Sequence, residues 1–137
     1  MLSLAYRVPQ QTPMSAHASK AVELQTRLIS FAAKILGLYS KLNVTPEGRH
    51  IANQILRSGT ATAANYGEAR AAESRSDFVH KLRVVLKELN ETAVWLQLIE
   101  ETSSLPAQLI GPILAENQEL CRIIAAPIKT ARMAEME

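Results

Sequence analysis

The stretch SRSDFVHKLRVVLKELNETAVWLQLI, Ser74–Ile99, contains seven residues at alternating steps of four and three: Phe78, Leu82, Val85, Leu89, Thr92, Leu96 and Ile99. That spacing places all seven on one stripe of a helix of about seven turns, with polar side chains over much of the remainder. A helix with a single apolar stripe cannot stand alone, so the stripe must face other helices. Ser74, with Asp77 three residues on, resembles a capping box and marks the helix start.

The same steps recur on both sides. Leu24, Leu28, Phe31, Ile35, Leu38 and Leu42 predict a helix over about 16–42. After Asn43-Val44, Thr45 suits an N-cap and Pro46 the first helical position, which predicts a second helix over about 46–71. Its seam, Ile51, Ile55, Ser58, Thr62, Asn65 and Ala69, is apolar for two steps and then small or polar. Gly59, Ala61, Ala63 and Ala64 thin it further, so a neighbouring backbone can approach closely and the polar members need partners. The third helix covers about 74–101. The fourth covers about 106–133, with Ile110, Ile113, Asn117, Leu120, Ile124 and Ala131 inward; Pro112 either kinks it or starts it, and Pro127 bends its last third. Connections this short join antiparallel neighbours. The expectation is an all-α, up-down-up-down four-helix bundle over residues 16–134. Residues 1–15, with the run Pro9-Gln10-Gln11-Thr12-Pro13, are expected to be a flexible tail, and Met14 is an alternative start to Met1.

Composition fits one such domain. The chain has 137 residues, 47% of them apolar and 20% charged, with little Gly and few aromatics. No run approaches the ~20 apolar residues of a membrane span, and nothing near the N-terminus reads as a secretory signal. The one cysteine, Cys121, rules out an internal disulfide and fits a reducing cytoplasm. The net charge of +2 is too small to demand a polyanion partner.

No catalytic set stands out, and no cofactor or small-molecule substrate is expected. Of His17, His50 and His80 only His50 has the Glu-x-x-His spacing, in Glu47-Gly48-Arg49-His50, one pair where a carboxylate-bridged di-iron bundle needs two. Glu88 and Glu91 share a face but read as ion-pair partners of Arg57, Arg83, Arg70 or Lys87. Lys20, Arg27, Lys34 and Lys41 recur every seventh residue, a basic edge on the first helix. The edge reads either as a solvated flank paired to acids nearby or as a weak, salt-sensitive contact for RNA or DNA. The chain also holds more apolar surface than one bundle uses. Val22, Ile29 and Leu36 repeat at seven, rotated off the first seam, and Val84 and Leu98 lie on a similar row of the third helix. They read either as a widened core stripe or as the interface of a homo-oligomer.

The wording of the chain resembles a known family. Ile55-Leu56-Arg57-Ser58, Asn65-Tyr66-Gly67-Glu68-Ala69, Ser74-Arg75-Ser76-Asp77-Phe78, Leu86-Lys87-Glu88-Leu89-Asn90-Glu91-Thr92-Ala93-Val94-Trp95-Leu96 and the Glu116–Ile124 segment are similar, in order and spacing, to the small bacterial four-helix-bundle proteins of the 23S rRNA intervening-sequence, or S23, family. Gly67-Glu68-Ala69 and Pro127 depart from its commoner wording. The resemblance implies a bundle assembling as a five-fold ring, with no catalytic residues to carry over. It also implies a distant kinship to a nucleic-acid-binding accessory protein of diversity-generating retroelements. On this reading Arg57, Ser58, Asn65, Glu68, Arg83, Glu88 and Glu91 form a structural polar network. The expected role is a non-enzymatic homo-oligomeric scaffold or adaptor, the alternative being a nucleic-acid-associated accessory factor.

Overall fold

The computed structural model describes residues 16–136, with side chains from Ser19 onward; the expected tail at 1–15 and the choice between Met1 and Met14 lie outside the described residues. The chain forms four helices, α1 (Ala16–Leu42), α2 (Pro46–Arg70), α3 (Arg75–Glu101) and α4 (Ala107–Glu135), and no strand among the described residues. Each helix packs on the next in the chain, α4 leans more lightly on α1, and α1 and α3 are not neighbours.

Local chemistry sets the boundaries. The Thr45 hydroxyl accepts the Gly48 amide at 3.0 Å and Pro46 opens α2. A side chain at Gly48 would fall on the Leu42 carbonyl, so only glycine lets the chain turn this sharply out of α1. The Ser74 hydroxyl accepts the Asp77 amide at 3.0 Å and starts α3. That helix ends with the Ser103 amide bonded to the Glu100 carbonyl and the Ser104 amide to that of Ile99, both at 3.1 Å. This is a Schellman closure in which Ser103 takes the positive φ of 51° that glycine usually occupies. Of the two readings of Pro112, the start does not hold: α4 begins five residues earlier and runs through both Pro112 and Pro127. Both rings are exposed, so water can take the Gln108 and Ile123 carbonyls left without amide donors.

The core is one continuous cluster. It includes Leu28, Phe31, Ile35 and Leu38 of α1, Leu82, Val85, Leu89, Leu96 and Ile99 of α3, and Ile110, Leu120, Ile124 and Ile128 of α4. On α2 the buried stripe is rotated from the expected one: Ala52, Gly59 and Tyr66 are inside, while Ile51 and Asn65 are half-buried. Gly59 fits this arrangement: a methyl group there would lie 2.7 Å from Cγ2 of Ile35, so the missing side chain lets α1 lie this close to α2.

Candidate functional site

The seven residues expected as a polar network separate into five arrangements. Arg57 bridges from α2 to α3, reaching Glu88 at 3.4 Å and pairing with Glu91 one turn on. Next to Arg57 and Glu91 but facing inward, Ser58 and Thr92 are fully buried, and the Thr92 hydroxyl donates to that of Ser58 at 2.8 Å while lying 2.8 Å from the Glu88 carbonyl. Glu68 pairs with Lys81 at 3.0 Å near the other end of the seam. Asn65 donates to the Ala61 carbonyl of its own helix, and Arg83 is exposed with no ion pair among the described residues. Thr92, the partner of Ser58, was not among the expected network residues; its hydroxyl in an apolar stripe was the signal, since a buried hydroxyl must bond something. A second buried polar contact was not anticipated: the Asn117 amide of α4 donates to the Leu89 carbonyl at 3.0 Å. It ties α4 to α3 as Ser58–Thr92 ties α3 to α2.

The basic edge is not uniform. Arg27 is bidentate on Glu116 of α4, at 2.5 and 3.2 Å, and that hydrogen bond holds its guanidinium more firmly charged. Lys20, Lys34 and Lys41 are exposed and form no ion pair among the described residues. Beside Arg27, an open groove of about 520 Å³ runs between α1 and α4, lined by Leu24, Tyr66, Phe78, Ile123 and Pro127.

The apolar row on α1 stands in solvent: Val22 is 37% exposed, Ile29 55% and Leu36 57%. Val84 of α3 is half-buried and Leu98 is 38% exposed. Sequence reasoning missed Val94, which is 57% exposed. Its position four residues before Leu98, hence on the same helix face, was the signal. Trp95 next to it meets His50 of α2 edge-on, with ring centroids 6.0 Å apart.

Among the described residues no three His, Cys, Asp or Glu side chains gather as a metal set, and no helix is long and apolar enough to cross a membrane. Cys121 is half-buried, its thiol turned to the Asn90 and Asn117 side chains, and burial pushes its pKa up. That disfavours the thiolate a nucleophile needs.

None of the curated proteins matches the chain. A crystal structure of a protein of unknown function from the S23 ribosomal protein family of Bacteroides thetaiotaomicron is similar at a TM-score of 0.73 and 36% identity, over 77% of this chain and 98% of that one. The family described as 23S rRNA-intervening sequence protein matches residues 20–126, which include α2, α3 and the polar contacts between them. On both findings, the chain belongs to the 23S rRNA-intervening sequence protein family.

Proposed function

We propose that this protein is a non-enzymatic scaffold or adaptor of the bacterial cytoplasm, an antiparallel up-down-up-down bundle that assembles with copies of itself. The expected product is the five-copy ring implied by the family resemblance. Support for the antiparallel course comes from the partners across α2 and α3: as α2 runs from Ser58 to Glu68, its partners on α3 fall from Thr92 to Lys81. Support for a structural role of the polar residues comes from their partners, which are one another and the backbone.

The observation that carries self-association is the α1 row of Val22, Ile29 and Leu36, exposed along one face. Every residue three or four positions from Ile29 and Leu36 (Gln25, Thr26, Ala32, Ala33, Tyr39, Ser40) is uncharged. An apolar row without a charged surround is costly to leave in water and is the usual mark of a protein interface. Light scattering on the purified protein tests this. A particle of several chain masses is expected, and a strict monomer at micromolar concentration overturns it.

A second reading rests on Lys20, Lys34 and Lys41, whose exposed ammonium groups could meet the phosphates of RNA or DNA, Arg27 being held by Glu116. Three phosphate contacts per chain imply that duplex affinity falls about 40-fold between ~50 and ~200 mM salt. Fluorescence anisotropy measures that slope, and no binding at the lower salt removes this reading.

A further inference from the structure

The groove between α1 and α4 lies along the first turns of α1. Leu24, Phe78 and Ile123, which line it, are half-buried and Pro127 is exposed, so an apolar wall faces solvent. Through Ala21, Tyr66 and Phe78 the groove continues into a second open recess, of about 650 Å³, at the α2–α3 turn. Tyr66 lines both, is 5% exposed, and forms no hydrogen bond through its hydroxyl among the described residues. Glu23 on the rim is exposed and has no ion pair among the described residues.

Fifteen residues precede α1, and they divide in two. In Leu2-Ser3-Leu4-Ala5-Tyr6-Arg7-Val8 every second residue is large and apolar. On an extended chain that alternation gives Leu2, Leu4, Tyr6 and Val8 one face and leaves Arg7, the sole charge among residues 1–15, to the other. Pro9-Gln10-Gln11-Thr12-Pro13 follows, and the expectation of a flexible tail comes from that run. The apolar half lies outside the family match, which begins at residue 20.

We infer that Leu2–Val8 packs into the groove of its own chain, with its apolar face on Leu24, Phe78 and Ile123 and with Arg7 toward Glu23. A backbone carbonyl of the segment takes the Tyr66 hydroxyl. Reach allows this: Leu24 stands about 12 Å along α1 from Ala16, and residues 9–15 span about 23 Å when extended. The chain must turn back on itself to do so, and Pro9 and Pro13 are residues that turns use. A short tether holds the segment at a roughly millimolar effective concentration, which favours it over another copy or a free peptide at micromolar concentration. Docking removes two apolar surfaces from water at once. The segment becomes a strap over the lightly packed α1–α4 seam, whether or not the chain assembles with copies of itself.

Trypsin tests the docking at Arg7 in the full-length chain, where the Arg7–Val8 bond is expected to resist cleavage. Leu2→Ser/Leu4→Ser, outside the four helices, is expected to speed cleavage there about tenfold, and Ile123→Asp on the groove side to do the same. Circular dichroism checks that the second variant keeps its helices; if it does not, the first decides. Wild-type cleavage at Arg7 as fast as in Leu2→Ser/Leu4→Ser overturns the inference. A disulfide identifies the chain that supplies the segment. With Leu4→Cys, Ile123→Cys and Cys121→Ala together, mild oxidation is expected to close each chain on itself. With Ser104→Cys in place of Ile123→Cys, beside Leu42 at the other end of α1, it is expected not to. A cross-linked dimer through Ile123→Cys would mean that another copy fills the groove, and equal closure at both positions that the segment has no seat. Either result overturns the inference, and neither bears on the particle mass that tests self-association.

Discussion

The seams on either side of α2 and the seam between α1 and α4 are closed by different means. Against α2 the contacts are backbone-close. Gly59 admits Ile35 of α1, the Gln25 amide of α1 donates to the Ala63 carbonyl at 3.1 Å, and Ser58 meets Thr92 of α3 with no solvent between them. Among the described residues the α1–α4 seam has no buried polar contact and no glycine in close approach. It is held by the partly exposed Arg27–Glu116 pair and is flanked by the open groove beside Leu24 and Ile123. Small residues let helices close until water is expelled, whereas long charged side chains bridge a gap that stays wet. The stability of the two seams should therefore differ in size and in salt dependence.

Changes that fill the α2 seams are expected to have the largest effect. Ser58→Leu forces a large side chain into a site with no exposure and leaves the Thr92 hydroxyl without its partner across the seam. Overpacking and the lost hydrogen bond together cost about 3 kcal/mol. The urea midpoint should fall sharply, and a change under ~1 kcal/mol would mean that the α2–α3 seam is looser than described. Gly59→Ala is next. Its methyl meets the β-branched Ile35, whose stiff side chain cannot swing aside, and overpacking of ~1–3 kcal/mol is offset by about 1 kcal/mol of helix propensity. A net loss of about 1 kcal/mol is expected in the same titration; a stabilised variant would show that α1 can move off α2 freely.

The smallest effect belongs to the other seam. Arg27→Ala removes a bridge that is about one-third exposed at the arginine and one-quarter at the glutamate. Such pairs contribute about 0.2–1 kcal/mol, less as salt rises. A double-mutant cycle with Glu116→Ala at two ionic strengths isolates the pair. A coupling above ~2 kcal/mol that ignores salt would erase the distinction between the seams.

The four helices and their inward stripes were legible because a period of 3.6 residues is a local property that each segment displays by itself. Thr45-Pro46 and Ser74 announced two helix starts for the same reason, since a cap bonds an amide three residues away. The rotation of α2 was less legible. Ile51 and Asn65 fit the periodicity as well as Ala52 and Tyr66 do, and only the approach of Ile35 to Gly59 selects between them. The polar signature residues were visible as a group but not as pairs. Arg57, Arg70, Arg83 and Lys87 were equal candidates for Glu88 and Glu91 until the relative height of α2 and α3 picked Arg57.

Sequence alone thus determined the class of fold, the number of helices and the excess of apolar rows, because these follow from spacing along one chain. Tertiary structure decided which charges meet, which way α2 faces, and that Val94 joins Leu98 in solvent while Val84 is half-buried. Those outcomes depend on how far one helix slides and turns against another. That is fixed by the summed fit of many side chains from different helices, and no single segment encodes it.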